Sequence, residues 1–300
     1  MAPALKYISI ALRPKLTNEY TDIVAGLINW LGRRGYGVNI HTSDAERLTK
    51  LPPQAFKNIN FVEDNDLYKS SKMIISMGGD GTLIGCCRKA PKGSAPIFGI
   101  NMGRLGFITE FSKINFYDYL ELALKDKLEI EKIPLYQIKV TNKDKIVFDS
   151  QFINDAVISK NELSRMFVLN CEVGGDNVYN LAGDGLIISS PIGSTAYSLA
   201  AGGPIIHPSV KSLILNPICP HSLNHRPLVI PHDQEIHIRI RPPEENTILT
   251  LDGQQGYNIS KRDLINIKFA ARKYVRILKN PERTFFHTLK EKLTHGRRQG

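Results

Sequence analysis

The first third of the chain alternates short apolar runs with amphipathic segments. The apolar runs predict strands at residues 7–12, 37–41, 73–77 and 96–100. The amphipathic pattern predicts helices over residues 18–34, 83–90 and 114–125. Strands that alternate with helices pair in parallel, which gives an open, Rossmann-like α/β sheet. Ligands of such sheets bind beyond the carboxyl ends of the strands.

The pattern changes near residue 128, where short β-rich segments follow one another between turn formers. Strands are predicted within residues 128–140, 145–159, 167–173, 186–189, 235–240, 247–251 and 264–269. This succession favours an antiparallel, two-layer β-sandwich. A last helical segment at 285–293 is expected to return to the first domain. The predicted domains are 1–125 (α/β), 126–272 (β-rich) and 273–300 (tail).

Composition indicates a folded, soluble protein, with 42% hydrophobic and 23% charged residues in a chain of 300. An apolar stretch near the roughly 18 residues of a membrane helix is absent, so we expect no membrane partner. The N-terminus enters a strand pattern without a signal-peptide core. The four cysteines show no C-x-x-C spacing. A reduced, cytoplasmic location is therefore expected.

The net charge of +10 raises the question of a nucleic-acid partner. The basic residues are scattered, and no helix-turn-helix, zinc-finger or RNP pattern accompanies them. A positive balance also concentrates small polyanions such as nucleotides. We therefore expect no nucleic-acid partner.

One strand-to-helix junction carries candidate chemistry. Gly78, Gly79, Asp80, Gly81 and Thr82 follow the apolar run at 73–77. Glycines let a ligand approach main-chain N–H groups, and a helix N-terminus favours anions, so the segment suits phosphate. The carboxylate of Asp80 repels phosphate, and it is a helix cap, a metal contact or a proton acceptor.

A second dense segment covers residues 184–204. A predicted strand leads into a turn with Pro191 and Gly193, and a hydroxyl-rich stretch follows. Ser194, Thr195 and Tyr197 offer neutral donors and acceptors for sugar hydroxyls and a purine edge. A tight helix-packing segment explains the same composition.

Taken together, several segments resemble the NAD kinase family over about residues 6–293. They are the 78–82 loop, residues 101–108 (Asn-Met-Gly-Arg-Leu-Gly-Phe-Ile), the pair Asn154 and Asp155, the 184–204 block and residues 220–228. The glycine–aspartate loop also resembles those of diacylglycerol- and sphingosine-type lipid kinases and phosphofructokinases, whereas the 184–204 block is more specific. Two positions depart from the family pattern: the family often has threonine where this chain has Ile192, and often serine where it has Ala200. Asp155 stands where many members have glutamate, and either acid supplies the carboxylate.

The resemblance implies transfer of the γ-phosphoryl group of ATP to the 2′-hydroxyl of the adenosine ribose of NAD, which gives NADP. It implies Asp80 as the general base and Mg²⁺, or another divalent cation, on the ATP phosphates. The implied phosphate loop is Gly78, Gly79, Gly81 and Thr82. The implied NAD-binding residues are Gly79, Asp80, Gly81, Phe107, Asn154, Asp155, Asp184, Ser194, Thr195, Ala196 and Tyr197. The resemblance also implies that Asp184 lies near the nicotinamide end and is supplied across a subunit interface, which implies a homodimer or homotetramer.

Other interpretations have less support. His221 and His225 have the spacing of a helical metal pair, but Pro217, Pro220 and Pro227 favour a loop. Asp252 and Gly253 read as a hairpin turn. The chain has neither a P-loop nor a G-x-G-x-x-G fingerprint. A diacylglycerol-type lipid kinase is the main alternative, and a dinucleotide-binding sensor without catalysis is another.

Overall fold

The computed structural model describes residues 6–49, 51–104, 106–160, 167–241, 247–260 and 262–295. The helices are α1 (Asn18–Gly32), α2 (Pro53–Phe56), α3 (Asp64–Lys69), α4 (Asp80–Lys89), α5 (Phe116–Leu124), α6 (Tyr197–Ala200) and α7 (Phe285–His295). The strands are β1 (Lys6–Leu12), β2 (Tyr36–His41), β3 (Ile59–Val62), β4 (Ile74–Gly78), β5 (Ile97–Asn101), β6 (Phe111–Ser112), β7 (Ile130–Asn142), β8 (Lys145–Phe152), β9 (Asp155–Lys160), β10 (Phe167–Val173), β11 (Asp176–Gly183), β12 (Gly185–Ser189), β13 (Ser212–Ile218), β14 (Leu228–Pro231), β15 (Ile236–Ile240), β16 (Thr247–Leu251), β17 (Gln255–Ile259) and β18 (Asp263–Leu278).

The chain forms two compact units. Unit 1 contains residues 1–133 and 274–300, and unit 2 contains residues 134–273. The C-terminal end of β18 and helix α7 therefore belong to the same unit as the N-terminal strands. The fold class predicted from the sequence is confirmed: an open α/β unit, a β-rich unit, and a C-terminal segment that belongs to the first.

Unit 1 is built on a parallel sheet in the order β5-β4-β1-β2-β3, with the end of β18 beside β5. Every residue of β4 and β5 is buried, which explains their continuous apolar sequence. In the register of the sheet, Met77 lies opposite Leu12 and Gly78 lies opposite Asn101. The carboxyl ends of β1, β4 and β5 consequently meet at one edge, and this edge carries the glycine loop.

Unit 2 contains two sheets. One is antiparallel in the order β14-β13-β12-β9-β16-β17. The other has the order β11-β10-β15-β18, and the hairpin β7–β8 pairs with β18. Apolar side chains of both sheets share one core, among them Tyr136, Phe152 and Leu186.

The β-rich segment 145–159 contains two strands, because β8 ends at Phe152 and β9 begins at Asp155. One sequence prediction for unit 2 needs correction. Pro217 was expected in a loop, but it lies in β13, near the strand's end.

Two general properties follow from the described residues. All four cysteines are free thiols, three of them buried. None of the described helices combines the length and the apolar character that crossing a membrane requires.

Candidate active site

The glycine loop of unit 1 connects β4 directly to α4. Gly79 is the N-cap residue of α4, and Asp80 is the first residue of the helix. A Cβ on Gly78 would lie 2.1 Å from Oγ1 of Thr82, so the Thr82 side chain occupies the space that Gly78 leaves. A Cβ on Gly79 would meet no atom within 4 Å. The main chain at Gly79 therefore borders open space at a helix N-terminus.

The carboxylate of Asp80 is held by the loop that follows β5. Oδ2 accepts a hydrogen bond from the Phe107 N–H at 2.7 Å. Oδ1 accepts from the N–H groups of Ile108 (3.2 Å) and Thr109 (2.9 Å) and from the Thr109 hydroxyl (2.7 Å). The helix-cap interpretation of Asp80 is wrong, because Gly79 is the cap residue and the carboxylate binds a distant loop.

Two further residues shape the Asp80 environment. A Cβ on Gly106 would lie 1.8 Å from Oδ1 of Asp80, so only glycine leaves room for the carboxylate in this position. Asn101 is 2% exposed and donates from Nδ2 to Oγ1 of Thr109 at 2.8 Å. Its Oδ1 accepts the Gly103 N–H at 2.8 Å. Asn101 thereby fixes the hydroxyl that donates to Asp80.

Phe107 lies next to these groups and is partly buried. The ammonium of Lys292, on α7, lies 5.7 Å from the centre of its ring, within the range of a cation–π contact. Leu105, which precedes Gly106 in the motif, lies outside the described residues.

In unit 2, Asn154 and Asp155 lie where β8 gives way to β9. Asp155 is 4% exposed, and burial, assisted by the nearby carboxylate of Asp252, raises the pKa of Asp155 to about 7. Oδ1 of Asn154 is buried and has no hydrogen-bond partner among the described residues. A buried amide oxygen without a partner is costly and suits a site that a ligand completes.

The break between the strands depends on a close backbone approach. The Asn154 carbonyl accepts the Ser190 N–H at 2.8 Å. A Cβ on Gly193 would lie 2.1 Å from that carbonyl oxygen, so glycine is required there. The 184–204 block thus packs its turn directly on Asn154.

The hydroxyls of this block differ in availability. Ser194 is fully buried, donates to the Pro191 carbonyl at 2.6 Å and accepts the Ile206 N–H at 3.0 Å. Thr195 donates to the Ile192 carbonyl at 3.2 Å. Tyr197 is 48% exposed at the start of α6. The Ser194 hydroxyl is committed to the turn, whereas Tyr197 is accessible.

Asp184 precedes β12 and forms an ion pair with Lys160 at 2.8 Å. Its side chain is 42% exposed. The described residues include no group of three or more His, Cys, Asp or Glu side chains arranged to hold a metal. His225 instead presents its ring edge-on to Tyr179, with the ring centres 5.5 Å apart.

Sequence reasoning missed three residues: Asn101 and Thr109 beside Asp80, and Asp252 beside Asp155. Asn101 stands inside the motif at 101–108, which was the available signal. The sequence indicates only a turn at Asp252. Its carboxylate contacts residues about 100 positions away in the sequence, so no local pattern indicates them.

A glycine-rich strand-to-helix turn carrying a single aspartate, in a chain with a second, β-rich unit, defines a phosphotransferase of the double-glycine Asp class. The comparisons identify the family within it. The ATP-NAD kinase N-terminal domain matches residues 8–128, and the ATP-NAD kinase C-terminal domain matches residues 153–279. The chain belongs to the NAD kinase family, and it is an enzyme that phosphorylates NAD.

Relatives and solved structures agree with this assignment. The chain is 36% identical to the NAD kinase of Solibacter usitatus (99% of this chain, 100% of the relative) and 35% identical to that of Magnetococcus marinus (95% and 93%). An NAD kinase from Archaeoglobus fulgidus in complex with ATP superimposes with a TM-score of 0.72 at 26% identity, covering 96% of this chain and 98% of that one. Yeast NADH kinase complexed with NADH shares the fold, with a TM-score of 0.88 at 22% identity, covering 97% and 88%. These relatives give no support to the lipid-kinase alternative.

Proposed function

We propose that Asp80 is the general base that accepts the proton of the ribose 2′-hydroxyl while the γ-phosphoryl group of ATP is transferred to that oxygen. A bond forms between the 2′-oxygen and the γ-phosphorus, the bond from the γ-phosphorus to the β,γ-bridging oxygen breaks, and ADP leaves. The observation that carries the proposal is the fixed Asp80 carboxylate at the start of α4, beside the open main chain of Gly79.

The hydrogen bonds point to one oxygen of Asp80 as the proton acceptor. Oδ1 accepts three hydrogen bonds, whereas Oδ2 accepts one, from Phe107. A carboxylate offers about four lone-pair positions on its two oxygens. Oδ2 therefore retains capacity for the ribose proton. Because a carboxylate is a weaker base than an alkoxide, the proton moves late, and the rate depends mainly on positioning and charge neutralisation.

The loop at 78–82 supplies the phosphate contacts in this proposal. The N–H groups at the N-terminus of α4 attract phosphate oxygens. Mg²⁺ fits this site as an ion that ATP brings on its own phosphates, since magnesium is usually held by substrate phosphates and one or two carboxylates. When bound, Mg²⁺ would neutralise charge on the transferred group.

In unit 2, Asn154 and Asp155 are proposed to hydrogen-bond NAD. The support is Oδ1 of Asn154, which is buried and has no hydrogen-bond partner in the part of the chain that the structure describes. Thr195, Ala196 and Tyr197 are proposed to contact the adenine nucleotide. Phe107, in unit 1, is proposed as an apolar wall for the adenine, and Asp184 as a contact near the nicotinamide. Ser194 contributes by holding the turn, because its hydroxyl is already used.

The finer expectations from the sequence are proposed together. The enzyme is a cytoplasmic homodimer or homotetramer, and mass in solution measured by light scattering tests the assembly. The functional division into residues 1–125, 126–272 and 273–300 also stays a prediction.

Replacing Asp80 tests the proposed base. We expect Asp80→Asn to lower kcat by about 10²- to 10⁴-fold, the usual range for losing a general base, while NAD still binds. NADP formed from NAD and Mg-ATP is followed with an NADP-specific dehydrogenase, and NAD binding is measured by calorimetry. Asp22→Asn, on the exposed face of α1, is the matched control. Wild-type turnover in Asp80→Asn would remove Asp80 as the base, and NAD binding without any turnover by the unaltered protein would favour a sensor.

A further inference from the structure

Asp252 is a charged residue beside Asn154 and Asp155, and the mechanism above gives it no role. It lies in the hairpin between β16 and β17, with φ of +51° at Asp252 and +63° at Gly253. Aspartate tolerates the left-handed region better than most residues, and glycine adopts it without steric cost. The turn alone explains an Asp-Gly pair, but it does not explain where the carboxylate points.

The Asp252 carboxylate collects three consecutive backbone N–H groups. Its Oδ1 accepts from Asn154 at 2.8 Å, from Ile153 at 3.1 Å and from Asp155 at 3.3 Å. The Asp252 N–H in turn donates to the Asp155 carbonyl at 2.9 Å. Successive N–H groups that converge in this way form a concave anion site. Here the chain fills that site with its own carboxylate.

These contacts fix the backbone at the point where the two proposed NAD ligands lie. In an uninterrupted strand, neighbouring residues such as Asn154 and Asp155 would point to opposite faces. The strands β8 and β9 instead stop on either side of residues 153–154, and the Asp252 carboxylate satisfies the N–H groups that the break exposes. Ser190 holds the same segment from the other side through the Asn154 carbonyl.

We infer that Asp252 is a positioning residue for NAD: through the backbone of residues 153–155 it sets the direction of the Asn154 and Asp155 side chains. The inference rests on the proposal that Asn154 and Asp155 bind NAD. Asp252 does not touch the dinucleotide in this arrangement, because its carboxylate is directed at the main chain.

The charge of Asp252 provides a readout that a purely structural role would not move. Burial first, and then the Asp252 carboxylate, raise the pKa of Asp155 to about 7. The main-chain neighbours of Asp155 on the adjoining strands are Ser189 on β12 and Asp252 after β16, and of these only Asp252 carries a charge. Removing that charge moves the titration of Asp155 to lower pH.

The test is the variant Asp252→Asn, assayed for the KM values of both substrates between pH 5.5 and 8.5. Hydrogen bonds to charged groups predict a rise in the KM for NAD on the order of 10- to 100-fold, with the KM for ATP nearly unchanged. The pH midpoint of the KM for NAD should also fall. Asp176→Asn, an exposed hairpin aspartate of the same unit, should change neither.

The outcomes separate the inference from the proposal on which it rests. An unchanged KM for NAD and an unchanged midpoint in Asp252→Asn overturn the inference, and so does an equal loss for both substrates. An unchanged KM for NAD in Asn154→Ala overturns the proposed function of this segment instead. If Asp252 acts through Asn154, the double variant costs little more than Asn154→Ala alone. Asp252→Ser, which can still accept one N–H, supplies the same readouts if Asp252→Asn does not fold.

Discussion

At the scale of single residues, the carboxylates of Asp80 in unit 1 and Asp155 in unit 2 have different environments. Asp80 accepts hydrogen bonds from the Phe107 and Thr109 N–H groups and from the Thr109 hydroxyl, and these bonds fix the orientation of its carboxylate. Asp155 is buried beside a second carboxylate, Asp252, and this environment favours its neutral form. With a pKa of about 7, Asp155 is partly protonated at neutral pH and able to donate a hydrogen bond.

The raised pKa of Asp155 makes a prediction about stability. The ordinary aspartate value is 3.8 and the folded value is about 7, so the unfolded chain loses this proton first as the pH rises. Stability falls between about pH 4 and pH 7 and the loss is then constant. The variant Asp155→Asn has no carboxyl group here and does not lose stability in this way. The difference in free energy of unfolding, variant minus unaltered protein, should therefore increase from pH 4.5 to pH 8, by at most about 4 kcal/mol.

Urea unfolding at several pH values measures this difference, with Asp176→Asn as the control for a lost surface charge. If the two free energies of unfolding run parallel from pH 4.5 to pH 8, Asp155 is ionised in the folded state throughout. The proposed neutral donor would then be wrong.

At the scale of elements, the sequence pattern located the central strands and the main helices of unit 1. The buried strands β4 and β5 and the helices α1, α5 and α7 lie close to their predicted ranges. The sequence did not predict β3, β6, β11, β13, β14 or β17, and it predicted only residues 264–269 of β18. Several are short or carry turn-forming residues: β3 has four residues, and β13 contains Asn216 and Pro217. Their pairing depends on neighbouring strands, which local periodicity does not encode.

The sequence likewise predicted some residues of the candidate site and missed others. Asp80, Asn154 and Asp155 were predicted because they stand in motifs beside recognisable strands. The supporting contacts of Asn101, Thr109 and Asp252 were not, because each depends on backbone brought together by the fold. In a regular strand Asn154 and Asp155 would point to opposite faces, but β8 and β9 stop on either side of residues 153–154.

The loop after β5 holds the Asp80 carboxylate in place, and a substitution at Gly106 tests whether this orientation matters for turnover. Gly106→Ala places a methyl group where Oδ1 of Asp80 and Oγ1 of Thr109 lie, at 1.8 and 2.4 Å. The carboxylate or the loop must move, and a displacement of this size predicts a loss of kcat on the order of 100-fold. Gly103→Ala is the matched control, since the nearest atom to its Cβ would be 4.0 Å away. Equal kcat values in the two variants would show that the orientation of Asp80 does not limit turnover.

At the scale of the whole molecule, the chain closes unit 1 with its own C-terminal segment. The end of β18 pairs with β5, Ile277 opposite Ile97. Directly after this strand, Lys279 pairs with Glu110 and with Glu131. The Asn280 N–H also donates to Glu110 at 2.8 Å. Unit 1 is therefore discontinuous in sequence, and a buried carboxylate joins its two parts.

Burial and ion pairing shift the pKa of Glu110 in opposite directions, and they do the same for the pKa of Lys279. Burial outweighs pairing at Glu110 and raises its pKa. Burial alone would lower the pKa of Lys279, but Glu110 and Glu131 outweigh it and raise the value. The Lys279 side chain is 30% exposed and that of Glu110 only 8%. Glu110 consequently depends on Lys279 more than Lys279 depends on Glu110.

Removing the lysine should expose this dependence. Lys279→Met leaves Glu110 buried without its cation, and breaking such a pair predicts a loss of about 3 kcal/mol in the free energy of unfolding at pH 8. The loss should shrink toward pH 5, because Glu110, whose pKa is already raised, then takes up a proton and no longer carries a buried charge. Urea unfolding at both pH values measures it, and Lys127→Met, at an exposed lysine of the same unit, is the control. A loss that stays equal at pH 5 and pH 8 would mean that Lys279 stabilises unit 1 through packing of its alkyl chain rather than through its charge.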